Sequence, residues 1–153
     1  MKFDHPMITP TSLSRTEQVI QIVHRLFIHT DNYNWSALQS EVLLPELHFD
    51  MTSVGGAAGM RYASDICDEW AEGFADLDSV NHLAGNIVVD FDKIGATVFC
   101  YATTTHYKAN AKNGQTREQF GTYDMHLTEA DGIWRIDTLR YTRKFISGNL
   151  ELT

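Results

Sequence analysis

The sequence has little cysteine and little positive charge, and each shortage excludes a class of protein. Its two cysteines, Cys67 and Cys100, lack the C-x-x-C spacing of a metal or redox motif. They indicate buried free thiols in a reducing compartment, so we expect a cytoplasmic protein. Lys and Arg number 12 against 20 Asp and Glu, and the resulting net charge of −8 argues against binding to the phosphates of nucleic acid.

Long apolar runs are missing as well. No segment approaches the ~20 apolar residues that span a bilayer, so we expect no membrane partner. Residues 1–6 lack the apolar core of a signal peptide. The 153 residues, 43% of them apolar, suffice for one ordered domain with a sizeable core. We expect this domain at 13–148, with tails at 1–12 and 149–153.

Apolar periodicity predicts three helices in the first half of the chain. Ser14 and Glu17 fit a capping box, and an apolar stripe follows at helical spacing. One more i+4 step reaches Asp31, a carboxylate that is costly to bury unless it is paired or functional. Alternatively, Asp31 lies in the loop and caps the next helix. The further predictions are a helix at 33–38, a strand at 47–51, a glycine-rich turn or lid at 55–59 and a helix at 62–74.

The second half of the chain predicts a four-stranded antiparallel meander. Its strands are expected at 80–90, 96–108, 116–128 and 133–143, with a tight two-residue turn at Asn113-Gly114. Helices on one side of such a sheet make an α+β fold, and strong curvature of the sheet would leave a pocket inside. Phe99, Tyr101 and Tyr107 share the outer face, and these aromatics predict a homo-oligomer, either dimer or trimer.

The first hairpin of the meander brings two histidines together. With a three-residue loop at 93–95, His82 pairs directly with His106 on one face of the sheet. That face mixes small apolar and polar groups, as a ligand cavity does. Alternatively, both are ordinary half-buried strand histidines. A metal would need a third ligand, and because the tight ligand spacings of metal motifs are missing, we expect none.

The sequence also resembles a known family. The segment DNYNW at 31–35, the ending DGIWRI at 131–136 and the order of elements resemble a SnoaL-like domain over residues 14–148. That family belongs to the nuclear transport factor 2-like superfamily of cone-shaped α+β barrels. The resemblance implies three N-terminal helices packed on a strongly curved, mostly antiparallel sheet. Within the family it is nearest to scytalone dehydratase and bile acid 7α-dehydratase.

The resemblance implies four catalytic residues. Asp31 and Arg143 match an aspartate and an arginine of the bile acid enzyme. His82 matches the strand histidine of both dehydratases, and His106 a second histidine of scytalone dehydratase.

Other positions depart from the pattern, so neither substrate is transferred. Leu26 replaces a catalytic tyrosine of the bile acid enzyme, and Gly121 and Tyr123 replace a serine and an asparagine of scytalone dehydratase. As substrate-binding residues we predict Tyr123, Trp70 and Asp50.

The predicted function follows from the pairing of an aspartate with a histidine. The carboxylate of Asp31 would orient His82 for proton abstraction next to a carbonyl. His106, Tyr123 or Arg143 would hold the developing oxyanion. We expect a cofactor-free lyase (a dehydratase) or an isomerase/cyclase for a small cyclic, polyketide- or steroid-like hydroxy-ketone. The alternatives are a non-catalytic module that binds a small ligand and an assembly subunit, as in ring-hydroxylating dioxygenases.

Overall fold

A computed structural model describes residues 13–153, and the predicted tail at 1–12 lies outside them. The first helix, α1, spans Arg15–Asp31 and begins at the predicted capping box. The Ser14 hydroxyl accepts from the Glu17 N–H at 3.1 Å, and the Glu17 carboxylate accepts from the Ser14 N–H at 2.7 Å. These bonds satisfy two N–H groups that the helix leaves unpaired.

Two shorter helices complete the helical layer. The second, α2, is the single turn Trp35–Ala37, and a π-helical turn at Leu38–Val42 continues it. Asn34 caps α2 by accepting from the Ala37 N–H at 3.2 Å, so Asp31 does not serve as that cap. The third, α3, spans Ala63–Phe74.

The described residues form six strands: β1 (Leu43–Asp50), β2 (Ala58–Tyr62), β3 (Ser79–Phe91), β4 (Ala96–Tyr107), β5 (Thr116–Ala130) and β6 (Ile133–Gly148). They make one sheet in the order β2-β1-β6-β5-β4-β3. The predicted meander β3–β6 is confirmed as antiparallel, whereas β1 runs parallel to β6 and antiparallel to β2.

The sheet corrects three predictions. A closed barrel was expected, but β2 and β3 lie at opposite edges and do not pair, so the sheet formed by residues 13–153 is open. Strand β2 was missed because the glycine-rich segment hides it; after a short 3-10 turn at Thr52–Val54, the chain folds back and pairs with β1. Strand β1 also starts earlier than predicted, at Leu43, and includes Pro45, around which its pairing with β6 is irregular.

The predicted register of the histidine hairpin is wrong by two residues. His82 pairs with Thr104, and His106 pairs with Val80, so the two imidazoles are diagonal neighbours. One residue of the difference comes from the loop, which has four residues, 92–95, instead of three. The other comes from a β-bulge between Gly85 and Val88. An even difference preserves the face, so both histidines still point to the inner side.

The bulge also changes which residues of β3 share a face. Asn86 adopts φ 53° there, a left-handed conformation that asparagine tolerates better than most residues. Beyond it Ile87 and Val89 pack on the core, whereas Val88 is exposed. Strict alternation along β3 would instead place Val88 on the same face as His82.

The turn between β4 and β5 is wider than Asn113-Gly114 predicted. Tyr107 pairs with Thr116, so eight residues join the two strands. The C-terminus packs against this turn, because the Thr153 carbonyl accepts from the Lys112 and Asn113 N–H groups at 3.1 and 3.2 Å. Leu152 is consequently buried.

The hydrophobic core lies between the helices and the inner face of the sheet. Both cysteines are buried free thiols there, as predicted, and burial raises the pKa of each to about 11. Phe99, Tyr101 and Tyr107 are partly exposed on the outer face as expected, while the oligomeric state stays a prediction. Over residues 13–153 no helix has the length and apolarity needed to cross a membrane.

Candidate active site

A cavity of about 200 Å³ lies on the inner face of the sheet, between the strands and the helices α1 and α3. Its apolar walls are Leu26, Phe27, Met51, Val54, Trp70 and Phe74, and its polar lining is Thr30, His82, Thr104, His106, Gln119, Tyr123 and Tyr141. Apolar walls with a few convergent polar groups are typical of a site for a small organic molecule.

The carboxylate of Asp31 holds His82 through two hydrogen bonds. One oxygen lies 2.5 Å from His82 Nδ1, and the other accepts from the His82 backbone N–H at 2.9 Å. Because an ionised carboxylate can only accept, Nδ1 carries the proton. The lone pair of the neutral ring therefore sits on Nε2.

The Asp31–His82 pair is shielded from bulk water. The side chain of His82 is 7% exposed and that of Asp31 is 19% exposed. Phe27 stacks on the imidazole with 5.2 Å between ring centroids and 28° between planes. Low local polarity strengthens the hydrogen bonds, and the stacked ring fixes the plane of the imidazole.

The Nδ1 of His106 contacts a guanidinium, where that of His82 contacts a carboxylate. Arg117 approaches its Nδ1 with two donors, Nε at 3.2 Å and Nη2 at 2.8 Å. A guanidinium has no acceptor, so Nδ1 carries the lone pair and the proton of the neutral ring lies on Nε2. Burial, and after it the charge of Arg117, lower the pKa of His106 to about 4. His106 is therefore a neutral hydrogen-bond donor at physiological pH.

Tyr123 and Tyr141 lie side by side in the cavity wall, with 4.9 Å between their ring centroids. Phe27 contacts the Tyr123 ring edge-on, with 5.2 Å between centroids. Burial raises the pKa of both hydroxyls, so both stay protonated donors. The Tyr141 hydroxyl is buried with no hydrogen-bond partner among residues 13–153. A buried orphan hydroxyl is costly, and a ligand oxygen in the cavity would satisfy it.

The structure brings most of the predicted site residues to this cavity, but not all. His82, His106, Tyr123 and Trp70 line it, and Asp31 lies behind His82. Arg143 is not part of its wall: this residue follows Tyr141 on β6, and its backbone N–H donates to the Ser53 hydroxyl at 3.0 Å.

Asp50 lies on the outer face of the sheet, outside the inner cavity. Its carboxylate accepts from the backbone and hydroxyl of Thr52 at 3.0 and 2.7 Å. It lines a groove of about 390 Å³ on the outer face, together with His48 and Arg140. This groove is larger but shares no lining residue with the inner cavity. We place the site in the inner cavity because its histidines are the more deeply buried: His106 is 5% exposed and the His82 side chain 7%, against 16% for His126 at the outer groove.

Sequence reasoning missed four polar residues of the cavity wall, Thr30, Thr104, Gln119 and Tyr141, and also Arg117, which contacts His106. Thr104 precedes His106 by two positions in a strand, so alternation would have placed it on the same face. Arg117 pairs with His106 across β4 and β5, which the predicted tight turn concealed. No group of three or more His, Cys, Asp or Glu within 13–153 is arranged to hold a metal ion.

Comparison with known proteins gives a family. The model for the SnoaL-like domain matches residues 11–140 of the chain. The chain belongs to the SnoaL-like family. Its fold is that of the nuclear transport factor 2-like proteins, as the resemblance implied. No curated protein matches this SnoaL-like chain.

Solved structures share the SnoaL-like fold at low sequence identity. The Kfla4162 protein of Kribbella flavida has a TM-score of 0.83 at 20% identity, over 90% of this chain and 95% of its own. A protein named as a candidate scytalone dehydratase, from Novosphingobium aromaticivorans, has a TM-score of 0.75 at 14% identity, over 92% and 91%. A hexachlorocyclohexane dehydrochlorinase from Novosphingobium barchaimii has a TM-score of 0.69 at 12% identity, over 85% and 86%. Identities this low establish the fold alone.

Proposed function

We propose that the protein catalyses elimination or isomerisation of a small cyclic hydroxy-ketone, with His82 as the base and Asp31 as its orienting partner. One observation carries the proposal: Nδ1 of His82 contacts a carboxylate, whereas Nδ1 of His106 contacts a guanidinium, so the two neutral rings take opposite tautomers. His82 offers a lone pair on Nε2, whereas His106 offers an N–H on Nε2. Proton abstraction next to a carbonyl needs both a base and a donor for the oxygen that becomes negative.

The proposed reaction uses His82 twice, first as a base and then as an acid. His82 takes a proton from the carbon next to the carbonyl, and the electron pair moves onto the carbonyl oxygen. The N–H of His106 and the hydroxyl of Tyr123 donate hydrogen bonds to this enolate oxygen. When the enolate re-forms the carbonyl, the hydroxyl on the next carbon leaves, and the protonated His82 returns the proton to it, which gives an enone and water. Asp31 stabilises the imidazolium between the two transfers.

The cavity and the fold neighbours support this class of substrate. A volume of about 200 Å³ is below the ~300 Å³ at which most ligand pockets begin, which favours a compact ring system. The polar groups line one cavity with aromatic walls, as a ring carrying a carbonyl and a hydroxyl requires. Two of the fold neighbours are named for eliminations, a dehydratase and a dehydrochlorinase.

The test uses 3-hydroxy-1-tetralone, a cyclic β-hydroxy-ketone whose dehydration product tautomerises to fluorescent 1-naphthol. We expect the wild type to accelerate formation of 1-naphthol, and also to exchange the protons at C2 of 1-tetralone in D₂O. His82→Gln should lower both rates by about 10²–10⁴-fold, the usual contribution of a positioned general base.

The outer face supplies a matched control. His126 also contacts carboxylates there, with Nδ1 2.8 Å from Asp137 and Nε2 3.2 Å from Asp92, but it lies outside the inner cavity. His126→Gln should leave both rates unchanged. Equal rates for His82→Gln and the wild type would exclude His82 as the base. Binding of 1-tetralone without exchange would instead indicate a ligand-binding module.

A further inference from the structure

Arg117 lies outside the cavity wall but contacts it through His106. We propose that Arg117 is a positioning residue that fixes His106 in its Nε2–H tautomer, so that His106 donates to the carbonyl oxygen of the ligand. The identity of the ligand rests on the proposed function, whereas the tautomer does not.

The first support is the geometry of the contact. Two donors of one guanidinium converge on His106 Nδ1, at 2.8 and 3.2 Å, and neither can accept a proton in return. The ring nitrogen that remains is Nε2. It has no hydrogen-bond partner among residues 13–153, and His106 lines the cavity. The cavity is therefore where this N–H finds its acceptor.

The second support is that Arg117 is itself held in place. It stands opposite His106 in the register of β4 and β5, and its Nη1 donates to the Leu150 carbonyl at 2.8 Å. The C-terminal segment that carries Leu150 is anchored by the buried Leu152. Arg117 thus contacts the imidazole from a fixed position, with all three guanidinium nitrogens in hydrogen bonds.

The third support is the charge around the imidazole. The groups that act on His106 are Arg117, His82 and Asp31, and only Asp31 favours its protonation. Protonated His106 would lose Nδ1 as an acceptor and set a second cation against the guanidinium. Arg117 therefore keeps His106 out of the proton-transfer role and leaves that role to His82.

The experiment measures the tautomer directly and needs no turnover. Two-bond ¹H–¹⁵N spectra of protein labelled at the histidine nitrogens distinguish protonated from unprotonated nitrogen at His106. Near neutral pH, we expect an unprotonated Nδ1 and a protonated Nε2 in the wild type. In Arg117→Met, which removes the charge and all donors, the midpoint of the His106 titration should rise and the Nε2–H preference should be lost.

Arg140→Met serves as the matched control, because Arg140 is an exposed arginine paired with Asp124 on the outer face. It should leave the His106 spectrum as in the wild type. A proton on Nδ1 in the wild type would overturn the proposal, as would an unchanged His106 spectrum in Arg117→Met. If Arg117→Met does not fold, Arg117→Lys replaces it. This variant keeps the charge but loses the fork, so the proposal requires a weaker tautomer preference with little change in the titration midpoint.

The ligand half of the proposal is tested with two probes of the same skeleton, 1-tetralone and tetralin. The ketone should shift the His106 Nε2–H resonance and bind about 2- to 10-fold more tightly than tetralin, the range of one net hydrogen bond. Equal affinities and an unmoved resonance would overturn the assignment of His106 as the carbonyl donor. Failure of the elimination assay, with these two results intact, would overturn only the proposed reaction.

Discussion

Because His106 is buried as a neutral imidazole, the free energy of unfolding should fall as the pH is lowered from about 6.5 to about 4. The ordinary pKa of a histidine is about 6.5, and burial with Arg117 lowers that of His106 to about 4 in the folded state. Between these values the unfolded chain binds a proton at this position and the folded chain does not. Because stability rises with pH wherever the unfolded state binds more protons, the free energy of unfolding falls as the solution is acidified.

The size of the effect follows from the two pKa values. A change from 6.5 to about 4 corresponds to about 3 kcal/mol. His106 is only 5% exposed, so solvent screening takes little away. The full loss is reached near pH 4, and none of it is expected above pH ~6.5. For a domain with a typical stability of about 5–15 kcal/mol, this is a large share.

The assay is urea unfolding of the wild type and His106→Gln over this pH window. Other groups titrate in both proteins, so the informative quantity is the difference between the two free energies of unfolding. This difference should shrink by about 3 kcal/mol from pH ~6.5 to ~4, because the variant lacks the imidazole that must stay neutral. His24→Gln, at an exposed position of α1, is the control and should follow the wild type. A difference that stays constant, or grows on acidification, would refute the placement of a neutral His106 beside Arg117.

Two further predictions concern Tyr141 in the cavity wall and Gly121, which packs against the Tyr141 ring. Tyr141→Phe removes a buried hydroxyl that has no partner among residues 13–153, so unfolding should cost about 1 kcal/mol more, while 1-tetralone should bind less tightly. A loss of stability on urea unfolding would show that this hydroxyl is already satisfied. Gly121→Ala would place a Cβ 2.5 Å from the Thr142 carbonyl and 2.6 Å from the Tyr141 ring, and should destabilise the fold by about 1–3 kcal/mol. Gly73→Ala, with open space around its position on α3, should instead be neutral or stabilising, and equal effects of the two substitutions would contradict the tight packing at Gly121.

Local signals were sufficient for most of the elements and for the central pair of the site. Ser14 and Glu17 marked the start of α1 because a capping box depends on neighbouring residues only. Asp31 stood out because a carboxylate ended an apolar stripe, and it does contact His82. Helix periodicity and strand alternation are properties of the chain itself, so their faces can be deduced without the tertiary structure.

Features that depend on the lengths of turns could not be predicted from the sequence. A two-residue turn at Asn113-Gly114 would have paired His106 with Gly121, whereas the eight-residue connection pairs it with Arg117. The tautomer of His106 was therefore beyond the reach of the sequence. Asp50 was predicted as a substrate-binding residue, but its role is local. Its carboxylate accepts hydrogen bonds from the Thr52 N–H and hydroxyl in a turn.

The bulge at Asn86 lets one strand serve two environments. Before the bulge, the even-numbered His82 of β3 faces the cavity. After it, the odd-numbered Ile87 and Val89 face the core, on the same side of the sheet. The two halves of the strand are thus free to change composition separately, one under the demands of a ligand and the other under those of packing. The number of residues at the bulge is not free, since the loss of one residue there would shift the cavity half by one position and turn His82 away from the cavity.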